Sequence, residues 1–225
     1  MGISVDKSET ARINAQSAIV HETPEEWASA NLTGLIIRAL ESRRPGIVSD
    51  QQSMRASTKT ARTPAALKRA LLIAAYEEGG AKLVLDLRED MRETGFNPLL
   101  HVLLHSANPA VMRDKWERFE RYTHATNRLK LQSDGDRAFS ATRFSTNGAA
   151  PHAAENIFIC GVMSTLLEEL GTKGLSLSLD GDDGTAVELI REGENIAPAV
   201  QLSGPATSGR FSWNGFSPSM GGVRA

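Results

Sequence analysis

Residues 153–171 read AAENIFICGVMSTLLEELG. Ile157, Phe158, Ile159, Val162, Met163, Leu166, Leu167 and Leu170 leave little polar face before Glu168 and Glu169. A helix on a protein surface confines its apolar residues to one stripe, whereas a helix apolar on most sides must be covered on most sides. The stretch therefore predicts a central, buried helix, closed by Gly171 and Gly174. Its flanks decide the fold class. Before it, RLKLQS and RAFSATRFS alternate about the type I′ turn signal DGD at 134–136. After it, LSLSL alternates, DGDDG at 180–184 turns, and TAVELIR has the pattern of a returning strand.

Upstream, four helix starts use one device. In TPEE, Thr23 is the N-cap, Pro24 sits where its missing N–H costs nothing, and Glu26 completes a capping box. Thr63 repeats the Thr-Pro start, and Asn97 and Asn108 do the same with asparagine. These starts predict helices over 24–42, 64–78, 98–106 and 109–126, with another over 81–93 after the Gly79–Gly80 break. Helices come first and a β-β-α-β-β unit follows. That order predicts an α+β fold, a helical layer with an antiparallel sheet packed on a buried helix. Residues 1–21 read as a loose N-terminal segment, 22–192 as the folded domain, and 193–225 as a Gly/Ser/Pro-rich tail with one apolar cluster at Phe211, Trp213 and Phe216.

Composition narrows the function classes. A net charge of −2 over 225 residues argues against a chain that grips DNA or RNA by itself. One cysteine, Cys160, excludes an intramolecular disulfide, and the expected location is the cytoplasm. No run reaches the eighteen or so apolar residues of a membrane span, so no membrane partner is expected.

The residues that could carry chemistry are few. His101 and His105 in HVLLH share a helical face at a spacing able to hold a metal, but Val102 stands where a zincin would have its glutamate. Hydrogen-bonded histidines are the commoner meaning of that spacing, and no bound metal or other cofactor is expected. DGDDG starts like a calcium loop with Asp180 and Asp182, then fails at Gly184 and Arg191. Cys160 lies inside the apolar helix as a small core residue. His152 and Glu155 could be a base and its orienting partner, although an acid at a helix N-terminus ordinarily answers the dipole. No catalytic residue is assigned, and an enzyme is not expected. A helix-turn-helix over 64–93 is disfavoured, because AKLVLDLREDMRE has as many acids as bases on its polar face and would repel phosphate.

The segment KWERFERYTHATNRLKL, 115–131, is aromatic and basic. On a helical wheel its properties separate. Met112, Trp116, Phe119 and Tyr122 or Thr123 form one apolar stripe, and Asp114–Arg118 and Glu117–Arg121 pair at i, i+4 elsewhere. It reads as a core helix feeding a strand. Trp116 and Tyr122, with His101 and His105, are the candidate ligand-binding residues.

FNPLLHVLLHSANPAVMRDKWERFERYTHATNRLKL, the hairpin, AENIFICGVMSTLLEELG and LSLSL together resemble the N-terminal, arabinose-binding-like sensor domain of AraC-type transcription regulators. The resemblance spans about residues 20–190. It is best over Pro98–Leu131, with Glu120 to His124 its most characteristic run. It implies a domain that senses a small-molecule effector and dimerises, with promoter DNA bound by a separate C-terminal double helix-turn-helix. The sequence to Ala225 holds no such unit. The expectation is thus a truncated or stand-alone sensor half, reaching promoter DNA only through a domain absent from this chain. An effector pocket is expected to be closed and apolar, between the helical layer and the sheet. The element order is also similar to haem-NO-binding-like sensors. A haem- or metal-dependent sensor using His101 or His105, and a small enzyme without a recognisable motif, stay open as alternatives.

Overall fold

A computed structural model describes residues 27–48, 62–93, 106, 108–123, 127–145, 152–181, 185–199, 202 and 206–217. It confirms an α+β fold. In chain order the elements are β1 (Trp27–Ser29), α1 (Ala30–Arg43), β2 (Arg62–Pro64), α2 (Ala65–Glu93), α3 (Pro109–Thr123), β3 (Asn127–Ser133) and β4 (Ala138–Ser145). Then come α4 (Ala153–Leu170), β5 (Thr172–Lys173), β6 (Ser176–Gly181), β7 (Ala186–Arg191), β8 (Glu194–Asn195), β9 (Ala206–Ser212) and β10 (Gly215–Phe216).

The helix that the apolar run demands is α4. All but two of its residues, Glu168 and Glu169, are buried. It lies between α2 on one side and the main sheet on the other. Two glycines bring these layers close. A Cβ on Gly161 of α4 would stand 2.8 Å from Leu85 Cδ2 of α2, and a Cβ on Gly209 of β9 would stand 2.5 Å from the Cys160 sulfur. Cys160 is thus a core residue whose sulfur rests on bare backbone. Gly171 ends α4 in the left-handed conformation, φ 104°.

The helical layer follows the expected order with shifted starts. Residues 27–29 are a strand and not part of a first helix; Ser29, not Thr23, caps α1. Its short strand pairs with β2, and Thr33 and Thr63 share a buried hydroxyl–hydroxyl contact of 3.0 Å. Two helices run through α2, broken at Gly80, which is non-helical at φ 64°. The Asn108 side chain accepts from the Val111 N–H at 3.0 Å, the cap expected for α3. The helix expected over 98–106 lies largely outside the described residues.

The sheet is antiparallel with order β3-β4-β9-β6-β7-β8. Residues 206–212, which the sequence places in a loose tail, form β9 in its interior, between β4 and β6. The β3–β4 loop closes from the Asp134 N–H to the Ala138 carbonyl, with positive φ only at Gly135. A type I′ turn needs two such residues. The inner face is apolar: Leu129, Phe139, Ala141, Leu177, Leu179 and Phe211 are buried, and Phe139 stacks on Phe211 at 4.8 Å. Alternate residues face outward and are polar. Among the described residues, no helix is long and apolar enough to cross a membrane.

The contact of Cys160 with Gly209 yields a double-mutant test. Gly209→Ala is expected to destabilise the protein by about 1–3 kcal/mol through overpacking. Cys160→Ala removes the obstructing sulfur while leaving Cβ atoms 3.6 Å from the new methyl position. The double variant is therefore expected to be more stable than the two single losses predict when added, as read by urea denaturation.

Candidate functional site

Among the described residues, polar groups gather in two kinds of region, ionic centres at the ends of α4 and an open groove. The first is an ionic centre where α4 begins. His152 is the N-cap: its Nδ1 accepts from the Ala154 N–H at 3.1 Å, and the Glu155 carboxylate accepts from the His152 N–H at 3.1 Å. This is a capping box with histidine in place of serine. Glu155 is buried, and around it gather Lys68 and Arg143, both buried, and half-exposed Arg69 at 3.6 Å. Burial would raise the Glu155 pKa. Lys68, Arg143 and Arg69, with the His152 N–H, outweigh that and hold it below the ordinary carboxylate range. Burial lowers the His152 pKa, favouring the neutral ring whose Nδ1 can accept. Tyr76 meets that ring edge-on at 5.7 Å, and its hydroxyl accepts from the Leu202 N–H. The pair His152–Glu155 is therefore spent on holding the helix start. Three basic side chains, Lys68, Arg69 and Arg143, act on the single Glu155 carboxylate there.

A second ionic cluster ties the other end of α4. Buried Arg88 donates to Ser164 Oγ at 2.7 Å and to the Gly193 carbonyl at 3.1 Å. Arg92 reaches Glu169 at 2.7 Å and Glu168 at 3.2 Å. Burial raises the Glu168 pKa despite Arg88 and Arg92, with Glu89 and Glu169 adding repulsion.

The second region is open. The outer face of the sheet forms a groove of about 860 Å³. Its floor follows from strand register. Gln132 of β3 opposes Ser140 of β4, Ser140 opposes Arg210 of β9, Arg210 opposes Ser178 of β6, and Ser178 opposes Glu188 of β7. In the next rung, Thr142 meets Ser208 through their hydroxyls at 3.1 Å, and Ser208 opposes Asp180. Arg210 Nε donates to Asp180 Oδ2 at 2.6 Å. Arg191 donates to Glu188 through both Nε and a terminal nitrogen. The polar side chains of the lining are thus hydroxyls, the Gln132 amide, three carboxylates (Asp134, Asp180, Glu188) and one guanidinium, with Ala138 and Ala186 set between them.

Of the residues the sequence singles out for binding, Trp116 is fully buried in the core beside Met112, on the stripe expected of α3 and away from the groove. The backbone of Tyr122 lies in α3, but its side chain, with those of Phe119, Arg118 and Arg121, is outside the described residues, as are His101 and His105. Asp114 accepts from its neighbour Arg113 at 2.9 Å. Among the described residues, α4 occupies the space between helices and sheet where an apolar effector pocket was expected. Sequence reading missed the groove because Arg210 and Ser208 lie in the segment taken as a tail. The alternating SGRFSW at 208–213 was the available strand signal. Among the described residues, no group of three or more His, Cys, Asp or Glu is placed to hold a metal ion. The chain matches no protein-family model and no curated protein.

The two ends of α4 give opposite pH signatures. His152 and Glu155 have lowered folded-state pKa values, so each contributes stability above its unfolded value and loses it as pH falls through the folded one. Glu168 is raised, so its ionisation costs stability as pH rises through its folded value. Glu155→Gln is expected to destabilise by about 3 kcal/mol at pH 7, and Glu168→Gln to be neutral or stabilising. Denaturant melts at pH 8, 6 and 4 check both. His152→Asn, which keeps a good cap, should remove the part of the acid loss that sets in near neutral pH.

Proposed function

We propose that this chain is a non-catalytic effector-sensing module of the kind found at the N-terminus of AraC-type regulators, with the outer sheet groove as its effector site. The observation that carries the reading is the groove: hydroxyls and ion-paired charges fixed on four adjacent strands, β4, β9, β6 and β7, with Gln132 of β3 beside them. Such a floor positions polar groups with little freedom to lose when a ligand binds. Its volume lies within the range of small-molecule sites, about 300–1,000 Å³. Homodimerisation, and promoter contact through a further domain, belong to the same proposal and rest on the resemblance alone.

The test is a thermal-shift screen of small polar metabolites, followed by mapping of each hit by NMR. An effector is expected to raise the melting temperature and to perturb the amides of Ser140, Ser178 and Ser208. Ser178→Trp fills the groove from its exposed side and is expected to abolish the response while leaving the fold intact. Hits whose perturbations centre on α1 and α2 would contradict the assignment, and size-exclusion with light scattering reads the dimer.

A further inference from the structure

Arg210 occupies a singular position in the groove. Directly across from it are Ser140 on β4 and Ser178 on β6, and two residues away along its own strand are Ser208 and Ser212. All five share the outer face. Cross-strand neighbours lie about 4.5–5.5 Å apart at Cβ and same-face residues along a strand about 6.6–6.8 Å apart. Four serines thus surround the position from which the Arg210 side chain springs. Its Nε is held by Asp180 of β6 at 2.6 Å, while its side chain remains 67% exposed. The terminal nitrogens make no hydrogen bond among the described residues. A guanidinium anchored at Nε and open at its far edge presents the two-pronged donor that a carboxylate accepts.

The anchoring also sets where the charge sits. Because Arg210 reaches to Asp180, its head lies over β6, and β7 with Glu188 is the next strand, about one strand spacing of 4.7–4.9 Å away. Arg191 bonds only Oε2 of Glu188, so Oε1 stays available as an acceptor. The lining as a whole has three carboxylates against one guanidinium. That field repels a dianion such as phosphate and weakens a simple carboxylate, but it suits a ligand with one negative and one positive group close together.

We propose that the groove binds a zwitterionic amino-carboxylate, an amino acid or close analogue, with its carboxylate on Arg210 and the serine hydroxyls and its ammonium on Glu188. This rests on the groove being the effector site. The test is calorimetric titration of the full chain, with NMR mapping of each binder, using the twenty L-amino acids, acetate, putrescine, inorganic phosphate and the neutral polyol glycerol, on wild type and on Arg210→Gln, Glu188→Gln and a control outside the groove, Arg113→Gln on α3. At least one amino acid is expected to bind at millimolar concentration or below, with the three single-charge-type probes weaker. Arg210→Gln is expected to weaken binding by about tenfold or more, Glu188→Gln also to weaken it, and Arg113→Gln to leave it unchanged, all with wild-type circular dichroism. Absence of binding by every amino acid, or binding that survives Arg210→Gln, overturns the proposal. If instead a neutral polyol or putrescine binds and perturbs Ser140 and Ser178, the zwitterion is wrong and the groove stands. If no probe perturbs those residues, both readings fall.

Discussion

The structure depends on one constraint: a helix with almost no polar surface must be covered on every side. The fourteen residues from Ile157 to Leu170 would not remain helical in water with so little polar surface, so α4 needs a layer above and a layer below. The α2 helices supply one and the six-stranded sheet the other. Side chains alone would hold these layers further apart. Gly161 and Gly209 remove the Cβ atoms that would collide with Leu85 and Cys160, letting helix meet helix and helix meet strand at close range. The polar ends of α4 are then handled separately. Its N-terminus is capped by His152 and Glu155 within a ring of cations, and its C-terminal acids are tied by Arg88 and Arg92 to α2 and to the β7–β8 turn.

That arrangement has a functional consequence. With α4 filling the space between helices and sheet, the inner face of the sheet is committed to packing. What the sheet can offer a ligand is its outer face, where Ser140, Ser178, Ser208 and Arg210 alternate with the buried Phe139, Leu177, Gly209 and Phe211. An antiparallel sheet tolerates water on one side, so this face can be polar, shallow and open without weakening the core. Binding there would act on strands β9 and β6, which pack on α4, giving a short mechanical route from ligand to helix.

Much of this was legible in the sequence. The apolar run over Ile157–Leu170 gave the buried helix, Asn108 the start of α3, Gly79–Gly80 the break in α2, and the alternating segments four of the strands. These signals are local: periodicity and caps depend on neighbours a few residues away. The ionic centre was legible only in part, since His152 and Glu155 sit close in sequence while Lys68 and Arg143 come from distant elements. The groove was not legible. It is built by register across β3, β4, β9, β6 and β7, and β9 joins β4 across more than sixty residues of intervening chain. A Gly- and Ser-rich strand also imitates a linker in composition, although Gly209 is glycine because Cys160 lies against it.

Native-state amide hydrogen exchange tests the central claim most directly. If the layers are organised around α4, its amides from Ile157 to Leu167 will be the slowest in the chain. They will exchange only through global unfolding, with the same free energy as β9 and β6. Exchange of α4 through a smaller, local opening, while the sheet stays protected, would contradict the account.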